Sequence, residues 1–349
     1  MTMVGPLVEC VPNFSEGRDS KIIDQIIKPI VESRFVNLLD VDMGRDFNRT
    51  VVTFVGPPED VLNVAIDCSR IALDCIDMSI QSGEHARMGA VDVVPFIPIR
   101  NISMEECVGL AERYADSISG LFDLPVYLYA EAARKSNRRR LPDIRRGEYE
   151  GLQDKLQMDE WTPDYGPAAF NPRLGATAAG ARQILIAYNV NLDTDDKKKA
   201  NSIAAKLRTS GSLLKDDNGE KILDGDGKPL RTPGRFEALQ AAGWMYDDST
   251  AQVSMNLLNH EVTGLYDVTE AIREEANNIG LNVTACELVG LIPLKAMVSA
   301  GRFYHEDLDE SDELSLVNSA IRGLSLDQLG DFDPHKNIIE WAIGGLDNE

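Results

Sequence analysis

Apolar residues in the first half of the chain recur with two alternating periods. Leu7–Phe14, LVECVPNF, is a short aliphatic run and reads as a strand. Ile22, Ile23, Ile26, Ile27, Ile30 and Val31 then fall at helical spacing, with Pro29 expected to weaken the last turn. Val36–Asp42 and Thr50–Gly56 are β-branched and aliphatic runs across a polar connection, which predicts consecutive strands. After Pro57-Pro58, a helix is predicted from Glu59 to Met78, with Val61, Val64, Ala65, Cys68, Ile71, Ala72 and Cys75 on one face. A polar loop leads into the apolar strand Val91–Ile99, and a helix (Met104–Ile118) and a strand (Pro125–Tyr129) extend the series. The order is β-α-β-β-α-β.

The second half repeats it. Gln183–Leu192 reads as a strand, Asp195–Arg208 as a helix, Trp244–Tyr246 and Ala251–Leu258 as strands, Leu265–Asn278 as a helix and Val283–Gly290 as a strand. The predicted fold class is α/β (α+β): two similar subdomains with mixed sheets of ferredoxin-like order, spanning residues 1–182 and 183–340, then a tail at 341–349. Gly147–Gly180 has little periodicity but holds Trp161, Tyr165 and Phe170, so it is expected to be an ordered loop over an inter-domain cleft rather than a linker. Ser210–Gly234, with Asn-Gly and Asp-Gly turns, reads as an exposed hairpin insertion.

Composition narrows the function. The 349 residues are 43% apolar and 26% charged, as in a folded soluble chain, and the net charge of −22 disfavours a non-specific nucleic-acid binder. No apolar run approaches the ~18 residues of a transmembrane helix, and the N-terminus lacks the look of a secretory signal. A cytoplasmic protein without membrane or nucleic-acid partners is expected. Five scattered cysteines suggest neither a disulfide framework nor a zinc site, and no metal is expected.

Few residues can carry chemistry. Of four histidines, His260, His305 and His335 have no ligand-like neighbours in sequence. His85 lies in SGEHARMGAVDVVPF, a polar loop before an apolar strand, where an imidazole serves as an acid–base group or as a tether for the loop. Dinucleotide, P-loop and nucleophile-elbow motifs are absent. Arg134, Lys135, Arg138, Arg139, Arg140, Arg145 and Arg146 crowd together against the overall charge. They form either a solvated face or a docking site for substrate carboxylates.

Several segments carry a resemblance. VECVPNFSEGR (8–18), LLDVDMGRDFNRTVVTFVGPPE (38–59), GEHARMGAVDVVPFIP (83–98), LPVYLYAEAAR (124–134), IRRGEYEGL (144–152), WTPDYGPAAFNPRLGATAAGARQILIAYNVNL (161–192) and LVGLIPLKA (288–296) closely resemble the glutamate formiminotransferase family. In mammals that domain precedes a cyclodeaminase domain, which this chain is expected to lack. The Ser210–Gly234 insertion is longer than expected for the family.

The resemblance implies transfer of the formimino group from N-formimino-L-glutamate to N5 of tetrahydrofolate, in histidine degradation, by a homodimer with tetrahydrofolate as co-substrate and no metal. It implies two α/β subdomains with a folate-binding cleft between them. It places the catalytic histidine at His85, a supporting aspartate at Asp42, and the folate-contacting loop at Gly166, Pro167, Ala168, Ala169, Phe170, Asn171, Pro172, Arg173, Leu174 and Gly175. On this reading the two glycines bring backbone close to the pterin and Phe170 offers an apolar surface. Transfer of formyl instead of formimino, or folate binding without catalysis, remain alternatives.

Overall fold

The computed structural model describes residues 5–216, 218–225, 227–306, 312–330 and 332–344. The chain divides into two compact units, 1–183 and 184–349. Among the described residues, no helix is long and apolar enough to cross a membrane.

Unit 1 runs β1 (Leu7–Cys10), β2 (Asn13–Phe14), α1 (Ser20–Val31), β3 (Asn37–Gly44), β4 (Arg49–Gly56), α2 (Pro58–Cys75), β5 (Val91–Arg100), α3 (Met104–Phe122), β6 (Val126–Ala130), α4 (Leu141–Arg145), α5 (Leu152–Lys155) and β7 (Thr177–Ala181). The strand expected over Leu7–Phe14 is broken at Val11-Pro12, where proline has no N–H for a ladder. Both pieces still pair antiparallel with β4 and β5. Despite Pro29, α1 continues to Val31, started by the Asp19 side chain on Lys21 N–H and burying Ile23, Ile26 and Ile30. A capping box of Ser103 and Glu106 starts α3.

The sheet order is β3-β4-β1/β2-β5-β7-β6, so the β-α-β-β-α-β unit makes its expected antiparallel core and a parallel pair is added on one side. Helices α1, α2 and α3 bury one face, with Ile26, Phe54, Leu73, Phe96, Tyr114 and Leu128 in the core. Strand alternation sends Val93, Tyr127, Tyr129 and Ala178 to the other face, where Ile144, Leu152, Leu156 and Trp161 cover them. The aperiodic segment is thus ordered. It also contains β7, which its sequence, TAAGA, does not announce. All five residues are buried between two strands, and a Cβ at position 180 would meet the Tyr129 ring at 2.4 Å, so small residues are required.

Buried cations hold this second layer. Arg138 is fully buried, pairs with Asp164 at 2.6 Å, donates to the carbonyls of Glu160 and Thr162, and lies 5.0 Å from the Tyr127 ring centre. Lys155 donates to the carbonyls of Ile144 and Arg146 and sits 3.8 Å from the Trp161 ring centre. Burial, then the charges of Arg146 and Arg138, lower its ammonium to about 8.

Unit 2 runs β8 (Ile186–Leu192), α6 (Lys197–Leu207), β9 (Ser212–Leu213), β10 (Arg231–Thr232), β11 (Leu239–Met245), β12 (Ala251–Leu257), α7 (Leu265–Asn277), β13 (Val283–Val289), α8 (Leu294–Tyr304), α9 (Glu313–Gly323), α10 (Pro334–Asn337) and α11 (Ile339–Gly344). Its sheet, β11-β12-β8-β13, is antiparallel and repeats the strand order of the first unit's core. Helices α8 to α11 were not anticipated. Of the tail expected at 341–349, residues 341–344 belong to α11 and 345–349 lie outside the described residues, as do 307–311 of the acidic stretch. In the 210–234 segment, β9 and β10 pair antiparallel, and further bridges join Lys215 to Lys221 and Leu223 to Pro229.

Four cysteines (Cys10, Cys68, Cys107 and Cys286) are buried and Cys75, at the end of α2, is half-buried. Burial is the main cause that raises the four buried thiols, Cys107 to about 12 and Cys286 to about 11.

Two outcomes follow. Arg138→Gln leaves Asp164 buried without its cation and should cost about 3–5 kcal/mol, read as a lower urea midpoint for unit 1. Replacing Leu214–Leu230 by Asn-Gly should leave the melting temperature within a few degrees, because Leu213 already faces Arg231 across the ladder. Loss of cooperative melting would show that the insertion supports unit 2.

Candidate active site

His85 sits in the loop between α2 and β5, and that loop is fixed at both ends. On one side it docks on the turn between β3 and β4. Asn48, in the left-handed region at φ 48°, accepts from Gly17 N–H (3.0 Å), donates to Ser82 O (2.9 Å) and takes the Gln81 side-chain amide on its own carbonyl (3.0 Å). On the other side, Ala90 N–H donates to Leu174 O at 2.9 Å and Ala176 N–H to Met88 O at 3.1 Å. Gly175 packs so closely there that a Cβ would lie 2.1 Å from Met88 O; at Gly166 it would lie 2.2 Å from Leu124 O. With φ of 73° and 80°, both glycines are required by contacts within the chain itself.

The imidazole is surrounded by charge. Arg49 Nη1, from the first residue of β4, is 3.3 Å from Nε2 and 3.5 Å from Nδ1. The Asp92 carboxylate, on β5, is 3.9 Å from Nε2. Asp92 is fully buried; it accepts from Met88 N–H (2.8 Å) and from the guanidinium of Arg145, at the end of α4. Burial raises its carboxyl above the usual range, while Arg145, Met88 N–H and Arg49 pull the other way. Arg87 is held by Gln81 (2.9 Å), Glu150 (2.8 and 2.9 Å) and Glu148 (3.4 Å).

Burial first, then Arg49, Arg145 and Arg87, lower the imidazole to about 4. Asp92, 3.9 Å from Nε2, is beyond hydrogen-bond reach of the ring and is bonded instead to Arg145. At neutral pH, His85 is therefore an uncharged base with a side chain 16% exposed.

The 166–175 loop reaches this site through side chains. Asn171 Oδ1 accepts from Arg173 N–H (3.0 Å) and Leu174 N–H (3.2 Å), and Arg173 donates to Asp74 O. Phe170 packs on Tyr149 with ring centres 5.5 Å apart, Tyr149 donates to Pro172 O, and Arg87 lies 5.9 Å from the Tyr149 ring centre. Gly166, Pro167, Ala168, Ala169, Pro172 and Arg173 are exposed, Phe170 and Asn171 half-buried, Leu174 and Gly175 buried. A surface cavity of about 470 Å³ bounded by Gln81, Arg87, Glu148 and Glu150 flanks the His85 loop.

Asp42 lies exposed on β3, diagonal to Arg49 across the ladder, and its charge favours the Arg49 guanidinium. The carboxylate that faces the imidazole is Asp92. The basic cluster divides: Arg138 is a core residue, Arg145 holds Asp92, Arg140 and Arg146 share Asp143, and Arg134 pairs with Glu112. His305 Nδ1 is 2.8 Å from Ser319 Oγ, and the His335 ring packs on Trp341 at 5.4 Å. Sequence reading missed Arg49 and Asp92, and it offered Arg145 only as a solvated residue or a dock for substrate carboxylates, not as the partner of Asp92. The available signal was a lone charge, Asp92, inside an apolar strand. Among the described residues, no group of three or more His, Cys, Asp or Glu side chains is arranged to hold a metal ion.

The depressed imidazole has a signed consequence. The unfolded chain takes up this proton near ~6.5, whereas the folded chain waits until about 4. The unfolded state binds more protons in between, so stability is lost as pH falls through that window and is unaffected above it. Urea unfolding at pH 7 and pH 5 should show a smaller loss for His85→Gln than for the parent. Equal losses would mean that the imidazole titrates normally in the fold.

The N-terminal subdomain of the formiminotransferase domain matches residues 7–182, and the formiminotransferase domain matches residues 187–344. Formimidoyltransferase-cyclodeaminase of Sus scrofa is 46% identical over 97% of the chain, and that of Dictyostelium discoideum 45% over 97%. The chain spans 60% of the length of each. The glutamate formimidoyltransferase of Streptococcus pyogenes is 36% identical, with 97% of this chain and 99% of that one aligned. With both units matched, and a relative aligned nearly end to end, the chain belongs to the formiminotransferase family.

Proposed function

We propose that the protein transfers the formimino group of N-formimino-L-glutamate to N5 of tetrahydrofolate, a step of histidine degradation. The observation that carries this reading is His85: an imidazole kept neutral among guanidiniums, in a loop joined to residues 166–175. N5 attacks the amidine carbon and forms the new C–N bond. The tetrahedral intermediate collapses when the C–N bond to glutamate breaks. In between, the N5 proton passes to Nε2 or Nδ1 of His85 and returns to the departing glutamate nitrogen, so the imidazole ends as it began. Tetrahydrofolate is a co-substrate, and the step uses neither a metal nor a redox cofactor.

The exposed stretch Gly166–Ala169, with Phe170 on Tyr149, offers backbone and an aromatic edge to a pterin. Asp42 supports the imidazole in this reading by way of Arg49. Holding two substrates together supplies much of the rate, since effective molarities reach ~10⁵ M or more. A homodimer in the cytoplasm belongs to the same reading, and light scattering checks the dimer.

The test is a turnover assay with N-formimino-L-glutamate and tetrahydrofolate, with N-formyl-L-glutamate as the competing donor. Formimino transfer should be the faster reaction. His85→Gln should lower kcat by ~10²–10⁴-fold with KM for tetrahydrofolate nearly unchanged, and Asp42→Asn should cost less. A His85 variant with the parent's kcat would overturn the proton route.

A further inference from the structure

Three guanidiniums stand around His85, and two of them are accounted for. Arg145, from the end of α4, is bonded to Asp92 on β5. Arg87, two residues along the loop, is bonded to Glu148 and Glu150. Arg49 differs. Its Nη1 lies against the imidazole, and among the described residues no carboxylate comes within ion-pair distance of it. Asp42 and Asp92 act on it at longer range, and Arg145 opposes its charge. A half-buried guanidinium beside a second cation and a neutral ring is poorly compensated, and a fork of N–H donors calls for an anion.

The donor of the proposed reaction is such an anion. N-formimino-L-glutamate carries an α-carboxylate on the carbon next to the amidine nitrogen and a γ-carboxylate two methylenes further on, and its amidine carbon must face His85. We infer that Arg49 receives a carboxylate of the glutamyl donor, and that filling this position strengthens His85 as a base. The inference rests on the formimino-transfer reading and names a binding residue for it.

The physical link is short. With Arg49 bare, a proton arriving on the imidazole meets a positive charge 3.3 Å away. A carboxylate on Arg49 cancels that charge, so the imidazole holds the N5 proton better once the donor is seated. The remaining charged groups facing His85 are Arg145, Arg87 and Asp92, and the first two keep their own carboxylates throughout. Linkage makes the effect reciprocal: if the carboxylate raises the imidazole's proton affinity, protonation raises affinity for the carboxylate by the same factor. Such a device would discriminate against uncharged amidines twice, once in binding and once in the strength of the base.

The test needs no turnover. N-acetyl-L-glutamate keeps both carboxylates and cannot donate a formimino group. Its saturating addition should raise the His85 titration midpoint, followed by NMR of the ring protons, by about one pH unit or more, a tenfold coupling. In Arg49→Gln the midpoint should start higher and stop responding, and the ligand should bind ~10–100-fold more weakly, as for a lost hydrogen bond to a charged group. Arg49→Lys should recover part of both effects. N-acetyl-L-glutamine tells which carboxylate is read.

In turnover, Arg49→Gln should raise KM for N-formimino-L-glutamate by a similar factor and leave KM for tetrahydrofolate within about twofold. An unmoved midpoint in the parent protein at saturating N-acetyl-L-glutamate overturns the inference, whether or not Arg49→Gln folds. Normal turnover with unchanged KM values in Arg49→Gln overturns it and leaves the reaction standing. An imidazole that responds to N-acetyl-L-glutamate in a protein without formimino transfer overturns the reaction but not the carboxylate site.

Discussion

A carboxylate sealed in a protein interior must be met by donors, and around Asp92 that requirement orders the whole site. One donor is local, the Met88 N–H, which bends the His85 loop back onto the start of β5. The other is remote in sequence: Arg145, at the end of a short helix, has to be brought across the sheet. Meeting it draws the 131–175 segment over the second face, where Arg138 and Lys155 hold the turns on either side through backbone carbonyls. Loops between a helix and a strand are usually among the softer parts of a domain. Here the loop borrows rigidity from buried charge.

The same arrangement explains why the imidazole is neutral. Asp92 bonds Arg145 and not the ring, and burial together with the charges of Arg49, Arg145 and Arg87 keeps the proton off His85. In a catalytic triad, by contrast, a carboxylate bonds the ring directly and stabilises its protonated form. This site starts from the opposite bias, with an imidazole uncharged at neutral pH and a guanidinium beside it.

Legibility in the sequence followed the kind of force at work. Strands made of β-branched and aliphatic residues, such as Thr50–Gly56, and helices with an apolar face, such as α2, could be read because their burial is one-sided and periodic. The strand β7 could not, since its residues are chosen for smallness between two neighbours and carry no period. Arg138 and Arg145 looked like members of one surface patch; whether an arginine is solvated or buried depends on partners far along the chain, Asp164 for one and Asp92 for the other. His85 stood out by its loop and by the GEHARMGA block, whereas Arg49 gave no sign, because its neighbour in space is 36 residues away in sequence.

The burial of the cysteines also has a practical side. Four thiols are enclosed and held in their protonated form, so alkylating reagents that need a thiolate at an accessible surface are left with Cys75, at the exit of α2. The residue before it, Asp74, receives the Arg173 guanidinium on its carbonyl, and three residues on, Met78 N–H bonds the carbonyl of Arg173. A dye attached there would stand between the end of α2 and the glycine-bounded loop. The native chain thus carries its own attachment point for a reporter beside that loop, without an engineered cysteine.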